Sequence, residues 1–232
     1  MKSSVLITAH SGCEGTPDNS LASIEKGIAL GADCVEVDVR ADMDGRLWLT
    51  HDVPKSFGGL VSLEEAFVLI HESGIAVNCD LKEPTALLPT LALAQKMGID
   101  REKLIFSGSV DPALLEAHPE VARSSRIFLN SEELVRDMMQ GDPPDRVGQT
   151  IFLLMNSRQV AKRMRALGAE ALNAPYLLVP DEFIIVLRAR DVALSLWTVN
   201  EDDALREYMA KDLLNITTRR PAAALAVRGA LG

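Results

Sequence analysis

Two acidic side chains on one apolar strand are the first chemistry this 232-residue chain offers. In Cys34-Val35-Glu36-Val37-Asp38-Val39 the side chains of a strand alternate faces, so Glu36 and Asp38 point one way and the three valines the other. Neighbouring carboxylates repel each other and are costly to bury unless something positive sits between them. That is the signal of a metal site, and hard oxygen ligands suit Mg²⁺ or Ca²⁺ better than zinc. Two histidines bracket the strand. His10 closes the short run Val5 to Ala9, and His51-Asp52 closes a run that follows the turn Met43-Asp44-Gly45. A further strand pattern, Val77 to Lys82, puts Asn78, Asp80 and Lys82 on one face.

These residues need elements to hold them. Strand-like runs recur at Val5–Ala9, Cys34–Val39, Ile75–Leu81, Lys103–Phe106, Ser125–Leu129, Glu170–Asn173, Val192–Val199 and Leu213–Thr217. Between them lie helical patterns: Ser20–Leu30, Leu63–His71, Thr85–Met97, Asp111–Ala117, Ser131–Met139, Arg158–Leu167, Asp181–Ala189 and Asp202–Ala210. Asn19 or Ser20 can cap the first helix, and capping is the role expected of Asn19. Strand–helix alternation of this kind implies a parallel α/β fold. A doubly wound sheet fits the alternation too, but no GxGxxG or Walker sequence follows any strand. Candidate functional residues close several different strands, which describes a single-domain (β/α)8 TIM barrel over residues 1–232. The pattern is least legible at 140–157, where Asp142-Pro143-Pro144 breaks it and Gln149–Met155 reads as helix or strand.

The first fifty residues resemble the glycerophosphodiester phosphodiesterase family, whose opening blocks are approximately H-R-G, P-E-N-T, G-A-D-x-x-E-x-D-V, D-G and H-D. Here they read His10-Ser11-Gly12, Pro17-Asp18-Asn19-Ser20, Gly31-Ala32-Asp33 to Glu36-Val37-Asp38-Val39, Asp44-Gly45 and His51-Asp52. Asn78-Cys79-Asp80-Leu81-Lys82 is similar to the family's E-x-K strand, with Asp80 in the place of Glu. Leu196-Trp197-Thr198-Val199-Asn200 matches its W-T-V-N strand. Ile216 to Pro221 is similar to its closing I-T-D-x-P block, with Thr218 where an Asp is usual. The likeness runs end to end, but over roughly 100 to 190 it is carried by element pattern only.

The resemblance implies a barrel enzyme that hydrolyses glycerophosphodiesters to sn-glycerol 3-phosphate and an alcohol. It implies a divalent cation, Mg²⁺ or Ca²⁺, on Glu36, Asp38 and Asp80, with His10 and His51 sharing general base and general acid work near neutral pH. Lys82 is expected to neutralise phosphate charge, and Trp197 to line the pocket against the glycerol or alcohol moiety. His71 and His118 are expected to be surface or packing residues. Ser11 is the main departure: the family's arginine there offers a planar fork to phosphate that serine cannot reproduce. Ser11 is placed at the substrate all the same, and Arg40, Arg219 and Arg220 are the candidates to supply the missing charge. Between His51 and Asp80 there is room for a loop and one helix only, which implies an open cleft.

Composition narrows the partners. A formal net charge of −9 argues against nucleic acid and anionic membrane surfaces, leaving a small-molecule phosphodiester as the expected partner. Cys13, Cys34 and Cys79 cannot form a closed disulfide set and have no CxxC spacing, so reduced thiols are expected. Met1 to Ala9 holds too short an apolar run for a signal peptide, and no segment reaches transmembrane length, so the protein is expected in the cytoplasm. Two rival functions fit the same residues. One is a phospholipase-D-like or cyclising phosphodiesterase acting on a lipid head group. The other is a catalytically weak phosphoester-binding barrel, for which Ser11, Asp80 and Thr218 speak.

Overall fold

A computed structural model describes residues 5–231. The strands are β1 (Leu6–Ala9), β2 (Cys34–Ala41), β3 (Leu47–Leu49), β4 (Ala76–Leu81), β5 (Leu104–Gly108), β6 (Arg126–Asn130), β7 (Ala171–Pro175), β8 (Ala193–Trp197) and β9 (Asn215–Thr218). The helices are α1 (Leu21–Leu30), α2 (Leu63–Ser73), α3 (Leu87–Lys96), α4 (Pro112–Ala117), α5 (Glu120–Ser124), α6 (Ser131–Met139), α7 (Arg146–Met155), α8 (Ser157–Leu167), α9 (Asp181–Arg188), α10 (Asp202–Met209) and α11 (Pro221–Leu231). Residues 1–4 and 232, the ends of the expected domain and part of the segment weighed as a leader, lie outside the described residues.

β1 has a parallel partner on both sides, β2 on one edge and β9 on the other. The ring continues through β4, β5, β6, β7 and β8, each parallel to the next, so the sheet closes on itself. Closure removes the open edges that a doubly wound sheet would keep, and the fold is a single-domain (β/α)8 barrel. β3 stands apart: it pairs antiparallel to β2, Val39 opposite Leu49, and carries the chain back to the rim where His51 sits.

Alternation along each strand sorts side chains into two layers. Val35, Val37 and Val39 point outward into the buried apolar layer beneath the helices, together with Phe67, Phe106 and Phe183. A small separate apolar plug, Cys34, Ala76, Ile105, Phe128 and Ala171, fills the base of the barrel. Two residues further along the same five strands come Glu36, Asn78, Ser107, Asn130 and Asn173, all polar and all facing the cleft above the plug. The inner face therefore changes from apolar to polar in one step, at the same height on five of the eight parallel strands.

Local signals set several boundaries. Ser20 caps α1, its hydroxyl accepting from Ser23 N at 3.1 Å, and Gly31 ends the helix at φ 79°. Ser62 and Glu65 form a reciprocal capping box at the start of α2. The ambiguous stretch is helix: Asp145 caps α7 through Gly148 N at 2.8 Å, directly after the proline pair. α5 and α11 went unread in sequence, the first because it has a single turn, the second because Ala-rich Pro221–Leu231 has little polar contrast. No helix among the described residues is long and apolar enough to cross a membrane. Cys13, Cys34 and Cys79 are buried free thiols.

Candidate active site

Parallel register brings the carboxylates together. On β2 and β4 Glu36 stands opposite Asn78 and Asp38 opposite Asp80, with strands under 5 Å apart (about 4.8 Å in any sheet). One oxygen from each of Glu36, Asp38 and Asp80 can lie within 4.8 Å of the others. Each carboxylate has its own support. Ser11 N donates to Glu36 Oε2 at 2.8 Å, and Ser107 Oγ donates to Asp80 Oδ1 at 2.8 Å. Asn19 clamps Asp38 from both ends: its Nδ2 donates to Oδ2 at 2.8 Å and its Oδ1 accepts from Asp38 N at 3.0 Å. Asn19 is thus not the helix cap expected from its position; Ser20 is, and Asn19 serves the carboxylate.

Lys82 reaches between two of the acids, 2.6 Å from Asp38 Oδ1 and in contact with Asp80 Oδ2. Burial disfavours the Lys82 charge, but Asp80 and Asp38 outweigh it and raise the ammonium above its ordinary value. Burial also pushes Asp38 upward, yet the Lys82 charge and the Asn19 amide hold its carboxyl below the usual range. Glu36 goes the other way. Burial, followed by repulsion from Asp38 and Asp80, pushes its carboxyl well above the ordinary value.

Do these residues suit a divalent cation? One ammonium against three carboxylates leaves two uncompensated negative charges, the charge of such an ion. The donors are all hard oxygens. Beside Glu36, the buried Oδ1 of Asn78 lines the cleft with no hydrogen-bond partner, a further oxygen for an ion or a substrate hydroxyl. The set fits.

His10 follows β1, its backbone N–H donating to Thr218 O at 2.9 Å. Its Nδ1 lies 2.7 Å from the Ser11 carbonyl, which can only accept. Nδ1 therefore carries the hydrogen and Nε2 is left as the lone-pair nitrogen. Burial lowers the His10 pKa below its usual 6.5, the Ser11 hydrogen bond opposes that, and the Arg219 charge adds to the lowering. His51 follows β3, which pairs with the C-terminal end of β2, the strand next to β1; its side chain is 68% exposed and its Nδ1 lies 2.9 Å from Asp52 Oδ1, while Arg40 Nε holds its carbonyl at 3.0 Å. Both imidazoles, the three acids, Lys82 and Trp197 line one cleft of about 760 Å³ at the C-terminal ends of the strands. His71 and His118 are on α2 and after α4, away from it.

Ser11 is corrected. It does not face the cleft: it is 2% exposed, and its Oγ accepts from Asn19 N at 2.6 Å beneath the loop. Residues absent from the sequence reading also line the cleft: Ser107, Asn130, Asn173 and, on the rim at α6, Glu132, Glu133 and Arg136. Ser107, Asn130 and Asn173 share one overlooked signal, a polar residue in the C-terminal part of a mostly apolar strand.

Residues 10–66 match the model of the Glycerophosphoryl diester phosphodiesterase family, a span that holds His10, Glu36, Asp38 and His51. A glycerophosphodiester phosphodiesterase of Caldanaerobacter subterraneus subsp. tengcongensis aligns at 23% identity over 93% of this chain and 94% of its own length. Over its N-terminal quarter the chain is similar to the glycerophosphodiester phosphodiesterase family, and along its length to a curated enzyme of that name. Asp80, Lys82 and Trp197 lie beyond the matched span, and it is the barrel register that brings them to the same cleft. Solved phosphodiesterases share the fold. A phosphodiesterase of this name from Silicibacter pomeroyi superposes with a TM-score of 0.76 at 17% identity, over 100% of this chain and 95% of that one. An Oleispira antarctica phosphodiesterase, solved with the product sn-glycerol-3-phosphate, superposes at 0.71 with 18% identity over 96% of each chain.

Proposed function

We infer that this protein is a metal-dependent phosphodiesterase that hydrolyses glycerophosphodiesters to sn-glycerol 3-phosphate and an alcohol. The observation that carries this reading is the meeting of two histidines, one after β1 and one after β3, with a three-carboxylate cluster in one cleft. His10 is the general base: Nδ1 is tied to a carbonyl, burial keeps the ring neutral, and Nε2 is free to take a proton from the attacking hydroxyl. That hydroxyl is a water, or it is the glycerol 2-hydroxyl, in which case a water then opens the resulting cyclic phosphate to sn-glycerol 3-phosphate. His51, exposed and oriented by Asp52, gives a proton to the departing alkoxide.

Glu36, Asp38 and Asp80 would hold a divalent cation, Mg²⁺ or Ca²⁺. When bound, such an ion supplies Lewis-acid stabilisation of a phosphoryl oxygen. Lys82 keeps Asp38 and Asp80 aligned and adds positive charge beneath the phosphate. Trp197 forms the wall against which the glycerol or alcohol carbon atoms rest. The rim is polar where Glu132, Glu133 and Arg136 stand, which favours small water-soluble diesters over acyl chains and speaks against the lipid-head-group reading. Three buried free thiols agree with a reducing compartment, and we assign the protein to the cytoplasm.

The test is product analysis. Glycerophosphocholine and glycerophosphoethanolamine are incubated with the protein and Mg²⁺ or Ca²⁺, and sn-glycerol 3-phosphate is followed. Stoichiometric release supports the reading. A cyclic phosphate as the end product would favour the cyclising enzyme, and no turnover of any glycerophosphodiester would favour a binding barrel.

A further inference from the structure

The serine beside His10 leaves the phosphate without the guanidinium that the family's pattern places there, and the fold shows where another one stands. Arg219 follows β9, next to β1 in the ring, and lines the cleft. Its backbone is fixed on both sides: its N–H donates to Asn200 Oδ1 at 2.9 Å and its carbonyl accepts from Glu14 N at 2.8 Å. Thr218 supports the same turn, buried, accepting from Arg220 N at 3.0 Å. The side chain lies across the His10-Ser11-Gly12 corner. A Cβ built on Gly12, whose φ is +74°, would stand 2.6 Å from Arg219 Nη1. Glycine at 12 is what gives the guanidinium its room, at a backbone angle that L side chains rarely adopt.

The other cations near the cleft are committed. Lys82 is held by Asp38 and Asp80, Arg40 by Glu83 and the His51 carbonyl, and Arg136 by Glu132 and Glu133. Arg220 bonds Asp202 and the Asn200 carbonyl, and neither it nor Arg40 lines the cleft. Arg219 has one side-chain partner, Asp18 Oδ1 at 2.7 Å from Nη1, and the two side chains are 42% and 57% exposed. A pair that open holds the guanidinium weakly. Nε and Nη2 have no protein partner among the described residues, which leaves a two-donor edge of the fork for a phosphate.

We propose that Arg219 is the phosphate-binding arginine of this site, supplied from the end of β9 in place of an arginine at position 11. The assignment rests on the phosphodiesterase reading for its substrate but not for its test. Asp18 orients the fork from one side, and the phosphodiester takes the other edge, next to the lone-pair nitrogen of His10. A phosphate held there sits between β9 and the carboxylate strands β2 and β4, across the barrel mouth.

Binding of inorganic phosphate and of sn-glycerol 3-phosphate to the full chain with Mg²⁺ present, followed by titration calorimetry, tests this without requiring turnover. Arg219→Ala should weaken both ligands about ten- to a hundredfold, the range for one lost charge-assisted contact. Arg219→Lys should recover part of the loss, and Arg220→Ala should stay within twofold of the parent. Should Arg219→Ala not fold, arginine modification of the parent by phenylglyoxal serves instead. Mapped by mass spectrometry, it should slow at Arg219, and not at Arg220, when sn-glycerol 3-phosphate is added. Unchanged affinity in Arg219→Ala, an equal loss in Arg220→Ala, or no protection of Arg219 would overturn the assignment. Arginine-dependent phosphate binding in a protein that turns over no diester would instead retain this site and remove the hydrolase reading.

Discussion

Asp38 and Asp80 face each other across adjacent parallel strands, two residues above the pair Glu36 and Asn78, and Lys82 joins them. A single ammonium thus carries the compensation of two largely buried acids. Lys82→Met should leave both uncompensated. Removing one partner of a buried charge cluster costs on the order of 3–5 kcal/mol. The loss should appear in urea unfolding with EDTA present, and added Mg²⁺ or Ca²⁺ should restore part of it. Equal stability of parent and variant in EDTA would show that Lys82 does not balance these acids.

Glu36 yields a prediction of opposite sign. Its folded pKa is raised, so the folded state holds a proton that the unfolded chain releases above about pH 4.5. Stability from this group is present below that value and is lost as pH rises through the raised folded value. Without cations, Glu36→Gln should therefore unfold at a higher temperature than the parent at pH 7 to 8. The same variant should lose divalent-cation binding. A lower unfolding temperature for Glu36→Gln in EDTA would contradict the argument.

Burial keeps His10 neutral to lower pH than an ordinary histidine, so the acid limb of kcat/KM should fall below pH 6.5. His10→Ala and His51→Ala should each lower kcat by roughly 10²–10⁴-fold. Their double variant should lose far less than the product, the outcome expected of two groups proposed to serve one transition state. Losses under tenfold in the single variants would make these histidines structural.

Much of the cleft's lining could be read from residue order because several of its residues lie close together along the chain. His10, Glu36, Asp38 and His51 come within 42 positions of one another on strand ends whose alternation is regular, and all eight parallel strands announce themselves by their apolar runs. What stayed hidden depends on neighbours distant in sequence. Nothing in Pro17-Asp18-Asn19-Ser20 says that Asn19 turns away from the helix to bind Asp38, nineteen residues on. Ser11 looks like a cleft residue because it follows His10, but the Asn19 N–H draws its hydroxyl under the loop. Arg219 is 208 residues from Ser11, and only closure of the ring by β1 and β9 makes them neighbours. α11 was missed for a simpler reason: a helix lying between α1 and α10 with an alanine-rich sequence shows almost no periodic contrast.

That burial also sets the outcome of restoring the family's residue. Ser11→Arg would have to house a guanidinium where a side chain is 2% exposed and where its hydroxyl holds Asn19 N. Overpacking of this kind costs about 1–3 kcal/mol, and the displaced Asn19 would release Asp38. Lower thermal stability and lower kcat/KM are expected together. A Ser11→Arg variant more active than the parent would mean that position 11 does open to the phosphate.

Metal-dependent hydrolysis is the central claim, and chelation tests it directly. sn-Glycerol 3-phosphate release from glycerophosphoethanolamine is measured after exhaustive EDTA treatment and again after stepwise return of Mg²⁺, Ca²⁺ or Mn²⁺, for the parent and for Glu36→Ala. The account predicts no turnover in EDTA, recovery that saturates with at least one of these cations in the parent, and none in a folded Glu36→Ala. Full turnover in EDTA, or a Glu36→Ala protein as active as the parent, would contradict it.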